Sequence, residues 1–419
     1  MAARARLTFE MSRLFLNDDG RILKDHNEDL TRWRRARKTF VLPASAAGAG
    51  ADLWFIAAPY DGGGGVPLRV RLNGRALGRI TGSPPNLSWH RLRVGKGRLR
   101  AGANQFDFEC DTPAMNAWKL GIAGRAGRSG SAISFDGGES WQNDCMGLYG
   151  ALTGEYVVRL RSRSAALHDP APGKVVYPDP KHPKLAELRR MIPRSVTRSS
   201  DPWRRLLALR TWVATRWSHD PFGPPYCPWD APTILDWARR DRGHSGRGKV
   251  AMCVHFGVVF ASLATALGFR ARCIAVTRAI GSNDGHFLCE VLDQEQGRWI
   301  LHDANFDLHY EDDRPLSAVD VAQRIGDGAS MKDCVRAGRG LPTKPARVVE
   351  AYRRLIRSGD CCRLISVWRR MDFMTDPSVA PGHHGSVAYL EPQWVWFDPS
   401  REETAMFPLR TGEKWFARS

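Results

Sequence analysis

Several features that would restrict the location of this chain are missing from its sequence. No apolar run reaches the roughly 18 residues that a membrane-spanning helix needs. The first ten residues contain no apolar stretch of the kind found in a secretory signal. We therefore expect a cytoplasmic protein with no membrane partner.

Metal-binding and disulfide patterns are also missing. The nine cysteines include no CxxC pair, so the spacing predicts neither a structural zinc site nor a thioredoxin-type redox motif. An odd number of scattered cysteines is typical of a reducing compartment. We expect no metal and no cofactor.

The balance of charge is strongly basic, with 62 Lys and Arg against 44 Asp and Glu, a formal net charge of +18. Such a surface attracts anionic partners. However, the charges are spread along the chain, with no run of five Lys or Arg, no zinc-finger spacing and no RNA-binding signature. We expect no specific nucleic-acid partner, and a glycan or an acidic peptide remains open.

Residues from about 30 to 165 have short alternating runs separated by Gly, Pro and Asn turns, which predicts an all-β sandwich domain at 1–165. Leu68-Arg69-Val70-Arg71-Leu72 leads into Asn73-Gly74, a strong hairpin signal. Together with Trp89 and the Leu99–Asn104 segment, this pattern resembles galactose-binding-like jelly-roll modules of carbohydrate-active enzymes. The resemblance implies a domain that binds sugar or serves as a scaffold.

The segment Ser134-Phe135-Asp136-Gly137-Gly138-Glu139-Ser140-Trp141 is similar to the Asp-box hairpin of sialidase-type propellers. A propeller would repeat the motif, and this chain has it once. We therefore interpret it as a structural hairpin in which Asp136 ties the turn and Trp141 packs beneath it.

A possible catalytic unit begins at Cys253, which heads an apolar helical stretch that Gly268 should end. A thiol at a helix N-terminus is favoured as thiolate. His286 and Asp303 follow in two predicted strands, and a histidine can accept the thiol proton while a carboxylate orients the histidine.

The hairpin between these strands tests the hypothesis. If its turn is centred between Gln294 and Glu295, His286 and Asp303 stand directly opposite on one face of the sheet. His302 then points to the other face of the sheet. Asp307 could take the place of Asp303 as the partner of His286 only if the turn were longer and asymmetric. His255, two residues after Cys253, is a poor base that packs or contacts substrate.

The block from about 200 to 310 resembles the transglutaminase-like superfamily of papain-related thiol enzymes. The resemblance is carried by Trp212-Val213, the Cys253 helix, Ala266-Leu267-Gly268-Phe269-Arg270-Ala271-Arg272, and Gly297-Arg298-Trp299-Ile300-Leu301-His302-Asp303. It implies Cys253 as nucleophile, His286 as base and Asp303 as orienting partner. It also implies an α+β fold, a papain/transglutaminase-like core with the Cys-headed helix packed on an antiparallel sheet.

Departures from the family pattern limit what the resemblance implies. Ala251-Met252 precedes the cysteine where animal cross-linking enzymes have Gly-Gln, and Ala304 follows Asp303 where Pro is common. The zinc-binding CxxC pairs of eukaryotic peptide N-glycanases are missing. Calcium-dependent cross-linking is therefore not expected.

The complete prediction is a β-sandwich at 1–165, a linker at 166–183, a catalytic core at 184–335 and a mixed extension at 336–419. The predicted activity is amide hydrolysis or acyl transfer on a peptide, glycopeptide or glycan, with Trp237 or Trp229 as second oxyanion donor and Trp237 more simply a packed helix residue. Two alternatives stay open, a glycoside-cleaving enzyme on the same scaffold and a non-catalytic glycan- or protein-binding module.

Overall fold

The computed structural model describes residues 13–20, 22–60, 65–83, 87–113, 117–124, 129–147, 149–219, 227–240, 250, 252–279, 285–338, 347–381, 393–397 and 404–419. The chain divides into two compact units. The first comprises Met1–Ala171, Leu390–Pro392 and Ser400–Arg410, and the second Pro172–Tyr389, Gln393–Pro399 and Thr411–Ser419. The predicted extension at 336–419 therefore contributes to both units. Among the described residues, no helix is long and apolar enough to cross a membrane.

Strands form most of the regular structure. They are β1 (Leu14–Phe15), β2 (Ile22–Leu30), β3 (Arg35–Leu42), β4 (Ala51–Pro59), β5 (Leu68–Leu72), β6 (Arg75–Ile80), β7 (Ser88–Val94), β8 (Gly102–Cys110), β9 (Trp118–Gly124), β10 (Ser131–Ser134), β11 (Gly154–Tyr156), β12 (Val158–Ser162), β13 (Ala271–Thr277), β14 (Gly285–Asp293), β15 (Arg298–Asp303), β16 (Leu308–Tyr310), β17 (Val335–Ala337), β18 (Leu364–Trp368), β19 (Trp394–Phe397) and β20 (Leu409–Thr411).

The helices of the described residues all follow residue 180. They are α1 (Pro183–Arg190), α2 (Arg194–Thr197), α3 (Pro202–Ala214), α4 (Ala231–Arg240), α5 (Cys253–Ala266), α6 (Ala318–Gly326), α7 (Arg347–Ser358) and α8 (Glu413–Arg418). Short 3-10 turns occupy Ala44–Ala46, Lys332–Cys334, Asp360–Cys362, Met371–Met374 and Pro377–Val379.

The first unit is a β-sandwich. One sheet runs β1-β12-β4-β9-β11, with β2 paired to β9 and β7 to β4, and the other runs β10-β3-β8-β5-β6. Apolar side chains from both sheets, such as Phe40, Phe55, Phe106 and Tyr156, form one buried core. The Asn73-Gly74 hairpin is confirmed, since both residues have positive φ and β5 pairs with β6 across them.

The single Asp-box is a structural hairpin, as predicted. Asp136 accepts hydrogen bonds from the backbone N–H groups of Glu139 and Ser140, both at 2.9 Å from Oδ1. The Arg37 guanidinium lies 3.7 Å from the centre of the Trp141 ring and covers it. The motif therefore serves to close a turn on the sandwich.

The third sheet has eight strands in the order β17-β16-β15-β14-β13-β18-β19-β20. Helix α5 packs on β14 and β13, and α1, α3 and α4 pack around α5. Nearly every α5 side chain is buried, which explains its apolar sequence. Gly268 ends the helix as predicted: its φ is +93°, and the N–H groups of Gly268 and Phe269 donate to the carbonyls of Thr265 and Ala264.

The predicted fold class is wrong. We expected an α+β protein with a papain/transglutaminase-like core, but the described residues are mostly β, with three large antiparallel sheets and only eight α-helices. The prediction recognised three strands after Cys253, whereas the structure has eight. The missed strands β16, β17, β18, β19 and β20 have three to five residues each, too few for an alternating pattern to stand out.

Candidate active site

Cys253 is the first residue of α5 and is half-buried. Met252 precedes it in an extended conformation, with φ −96° and ψ 159°, and serves as the N-cap. The backbone N–H groups of a first helical turn have no acceptor within the helix, and they favour negative charge nearby. The thiol therefore lies at the positive end of the helix dipole.

His255 supports this helix start. Its ring is fully buried, and its Nδ1 accepts a hydrogen bond of 3.2 Å from the Met252 backbone N–H. Because Nδ1 is an acceptor here, it carries no proton. Sequence reasoning placed His255 as a packing or substrate residue, and the structure shows it capping the start of α5.

His286 and Asp303 are in direct contact. The His286 Nε2 lies 2.9 Å from Asp303 Oδ2, and both side chains are buried. The imidazole N–H donates to the carboxylate. That leaves Nδ1 of the ring for Cys253, whose thiol is hydrogen-bonded to His286. The three residues singled out from the sequence therefore form one hydrogen-bonded chain.

The predicted register of the hairpin is wrong by two residues. Asp293 pairs with Arg298 and Cys289 with His302, so the turn is centred between Glu295 and Gln296. The cause is a four-residue loop, in which the Asp293 carboxylate accepts from the N–H groups of Glu295 and Gln296. A shift of two preserves the face of each side chain, so the His–Asp pair survives as a diagonal contact.

The Asp303 carboxylate is held on both oxygens. While Oδ2 faces His286, Oδ1 accepts hydrogen bonds from the backbone N–H groups of Asn305 at 2.8 Å and Phe306 at 3.0 Å. These donors belong to the loop that joins β15 to β16. The loop therefore sets the direction in which the carboxylate points.

The surroundings of His286 favour its protonated form. Burial by itself lowers the pKa of the imidazole, but the charge and hydrogen bond of Asp303, together with Cys253, outweigh burial and raise the pKa to about 10. An imidazolium at neutral pH stabilises a neighbouring thiolate. The site therefore places an imidazolium next to the Cys253 sulfur.

The competing residues have other roles. His302 faces Phe260 of α5 and Trp203 of α3, and burial lowers the pKa of its ring well below the ordinary value. Asp307 is bound by α3 through Arg210 and Thr211. Neither contact leads to Cys253.

The two tryptophans proposed as oxyanion donors differ in position. Trp229 is buried, and its ring meets Phe287 and Phe373 edge-on at 5.6 and 5.0 Å. Trp237 is half-buried on α4, which packs on α5. Of the two, Trp237 has the more accessible indole.

Sequence reasoning missed residues that surround Cys253, His286 and Asp303. His219 Nδ1 lies 3.0 Å from Asn305 Oδ1, and no local pattern could reveal a contact across 86 positions. Phe306 lies between two imidazoles, 5.8 Å from His286 and 5.7 Å from His219 by ring centres. Arg210 could have been recognised from the sequence. It lies on the same helical face as the apolar Leu206 and Val213, which faces the core, and an arginine buried there needs a partner.

Within the described residues, no group of three or more His, Cys, Asp or Glu side chains could hold a metal ion.

The comparisons with known proteins identify no family. No protein-family model matches the chain, and no curated protein matches it. A crystal structure of a GH31 alpha-xylosidase from Xanthomonas citri aligns at 7% identity over 42% of this chain and 26% of its own, with a TM-score of 0.11. The match spans about a quarter of that enzyme's length, and a TM-score this low supports no inference about fold or activity.

Proposed function

We propose that this protein is a thiol enzyme that cleaves or transfers acyl groups at amide bonds, with Cys253 as nucleophile, His286 as acid and base, and Asp303 as orienting group. The observation that carries the proposal is the hydrogen-bonded chain from Cys253 through His286 to Asp303, with 2.9 Å between His286 Nε2 and Asp303 Oδ2. The sequence resemblance to transglutaminase-like thiol enzymes favours the same three roles.

The first half of the reaction forms a thioester. The Cys253 sulfur, as thiolate, bonds to the carbonyl carbon of the substrate, and the carbonyl oxygen takes the negative charge. When the intermediate collapses, the C–N bond breaks, and the amine leaves with the proton that His286 donates.

The second half releases the acyl group. Water or a second amine gives its proton to His286 while its oxygen or nitrogen attacks the thioester carbonyl, and the C–S bond then breaks. Sulfur leaves as thiolate beside the imidazolium, so the starting charges are restored. Asp303 keeps the ring in place throughout, since both of its oxygens are already hydrogen-bonded.

The negative oxygen of each intermediate needs donors. The Cys253 backbone N–H is one, because it belongs to the first turn of α5. The Trp237 indole, half-buried on the neighbouring helix, is the second that we propose. Trp229 is less suited, since its ring is enclosed by Phe287 and Phe373.

The proposed substrate is a peptide or glycopeptide amide, and the net charge of +18 favours acidic ones. Amide chemistry is supported better than glycoside cleavage. Glycosidases need two carboxyl groups that reach the scissile bond, whereas Asp303 is 1% exposed and bound by its own loop.

A substrate panel tests the proposal. Peptides, glycopeptides and free glycans are incubated with the wild type and with Cys253→Ala. We expect turnover of amide-containing members by the wild type and none by the variant. Turnover of a pure saccharide that survives Cys253→Ala would overturn the thiol mechanism, and binding without turnover would favour a non-catalytic module.

A further inference from the structure

The loop that follows Asp303 is short, and hydrogen bonds fix it at both ends. Four residues, 304–307, connect β15 to β16, because Asp303 pairs with Leu308. At its beginning, the loop donates two backbone hydrogen bonds to the Asp303 carboxylate. Any change in the loop backbone would therefore turn the carboxylate relative to His286.

The other end of the loop is fixed to α3. Arg210 Nε donates to Asp307 Oδ1 at 2.9 Å, and the Thr211 hydroxyl donates to Asp307 Oδ2 at 2.9 Å. The backbone N–H of Gly338 donates to the Asp307 carbonyl at 2.7 Å. Asp307 and Arg210 are 1% and 2% exposed, so this ion pair is shielded from water.

Arg210 also contacts both strands that the loop joins. Its Nη1 donates to His309 Nδ1 of β16 at 2.8 Å and reaches His302 Nδ1 of β15 at 3.4 Å. One guanidinium therefore connects the loop with the two strands on either side of it. Its planar fork of donors suits this geometry, which a lysine could not reproduce.

Two energetic costs are concentrated in this contact. Asp307 has φ +51°, a left-handed conformation that is costly for any residue other than Gly, and less so for Asn and Asp than for most. A buried ion pair also loses hydration that its attraction often does not regain. If the loop served stability alone, Gly or Asn at position 307, packed against apolar residues of α3, would avoid these costs.

We propose that Arg210 and Asp307 are positioning residues of the Cys253 site: they hold the 304–307 loop so that Asp303 points at His286. The inference rests on the proposed thiol function, and it adds α3 to the machinery of that site. Neither residue contacts the reacting atoms.

The test uses substitutions at Asp307 that tolerate the left-handed backbone. Asp307→Gly removes the anchor, whereas Asp307→Asn keeps a neutral acceptor for Arg210 and Thr211. Thr211→Val removes one hydrogen bond and serves as a milder variant if Asp307→Gly does not fold. Glu290→Gln is the matched control, because Glu290 forms an equally buried ion pair with Arg272, 2.6 Å from Nη2 to Oε2, in the same sheet.

Two readouts need no substrate. The first is the pKa of His286 from NMR titration of its ring, and the second is the rate at which iodoacetamide alkylates Cys253 as a function of pH. Within the part of the chain that the structure describes, the charged and titratable groups that act on the His286 ring are Asp303 on β15 and Cys253 on α5.

For Asp307→Gly we expect the His286 pKa to fall from about 10 toward its ordinary value near 6.5. The alkylation rate at pH 6 should fall roughly tenfold or more. Asp307→Asn and Thr211→Val should lie between this variant and the wild type. Glu290→Gln should lower the melting temperature without moving either readout.

The positioning role is refuted if folded Asp307→Gly and Thr211→Val keep the wild-type His286 pKa and alkylation profile, or if Glu290→Gln moves both readouts as far. The proposed function would fail with a different set of results. If no panel substrate is turned over but the His286 pKa falls in Asp307→Gly, the positioning role stands and the assigned reaction does not.

Discussion

Asp303 meets His286 along a diagonal of the β14–β15 hairpin, with 2.9 Å between Asp303 Oδ2 and His286 Nε2. Continuing the observed register by one step sets Asp303 opposite Leu288, two residues from His286 on the same face. Diagonal neighbours in a sheet lie within reach of longer side chains. The pair therefore depends on the shared face and on the loop that aims the carboxylate.

The stability of the protein should depend on pH through this pair. The pKa of His286 is about 10 in the folded protein, against an ordinary value near 6.5, because Asp303 and Cys253 outweigh the effect of burial. A raised folded-state pKa contributes stability that is fully present below pH 6.5 and is lost as the pH rises through about 10. The difference in free energy of unfolding between the wild type and Asp303→Asn should therefore shrink between pH 6.5 and 10 in urea titrations.

The control for this measurement is Glu290→Gln. The partner of Glu290 is an arginine and not a histidine, so we expect the destabilisation to be constant with pH. A wild-type advantage over Asp303→Asn that stays flat or grows toward pH 10 would contradict the assigned direction.

Gly257 should be essential to the packing of α5. A Cβ at this position would collide with the Phe287 ring, so the helix approaches β14 only because the side chain is missing. Gly→Ala in a helix interior ordinarily stabilises by about 1 kcal/mol. We expect Gly257→Ala to destabilise instead, by about 1–3 kcal/mol in urea unfolding, because of overpacking.

Gly326 on α6 offers a matched control for that substitution. A Cβ there meets nothing within 4 Å, so Gly326→Ala should be neutral or mildly stabilising. Equal effects of the two substitutions would show that contact with Phe287 is unimportant.

What could be predicted from the sequence was mainly local. Asn73-Gly74 and Gly268 are positions where only a few residue types tolerate the backbone, so their turn and helix end were found. The order of Cys253, His286 and Asp303 along the chain also singled out three residues that the structure brings together. The register was missed because Gly297 closes a four-residue loop, and alternation alone does not fix loop length.

The rest of the site depends on contacts between distant segments. Arg210 binds Asp307 across 97 positions, and His219 binds Asn305 across 86. The fold class was missed for a related reason, since strands such as Leu308–Tyr310 become strands only by pairing with neighbours. Short segments carry too little pattern of their own to reveal this.

The sandwich unit should depend on a buried ion pair. Lys38 Nζ lies 2.6 Å from Glu155 Oε2, and neither side chain is exposed. Lys38→Met would leave the Glu155 carboxylate buried without its cation, which costs about 3–5 kcal/mol. Urea unfolding should show this loss, and Lys38→Met with Glu155→Gln should recover part of it.

An exposed ion pair of the same unit provides the comparison. Arg32 and Asp111 are about half exposed and 3.2 Å apart, so Arg32→Met should cost less than about 1 kcal/mol. If Lys38→Met lowers the free energy of unfolding no more than Arg32→Met does, burial does not make the Lys38–Glu155 pair more important for stability than an exposed pair.

Alkylation by iodoacetamide tests most directly the proposal that His286 activates the Cys253 thiol. Cys145 and Cys334 are the other half-buried cysteines among the described residues. Burial and the neighbouring Asp144 raise the pKa of Cys145. Cys145 should therefore react slowly, and it serves as an internal control. The wild type and His286→Ala are treated with iodoacetamide at pH 6, and each cysteine is quantified by peptide mass spectrometry. We predict that Cys253 reacts about tenfold faster than Cys145 or more, and that His286→Ala removes this advantage; equal rates at the two cysteines, or a rate at Cys253 unchanged by His286→Ala, would contradict the account.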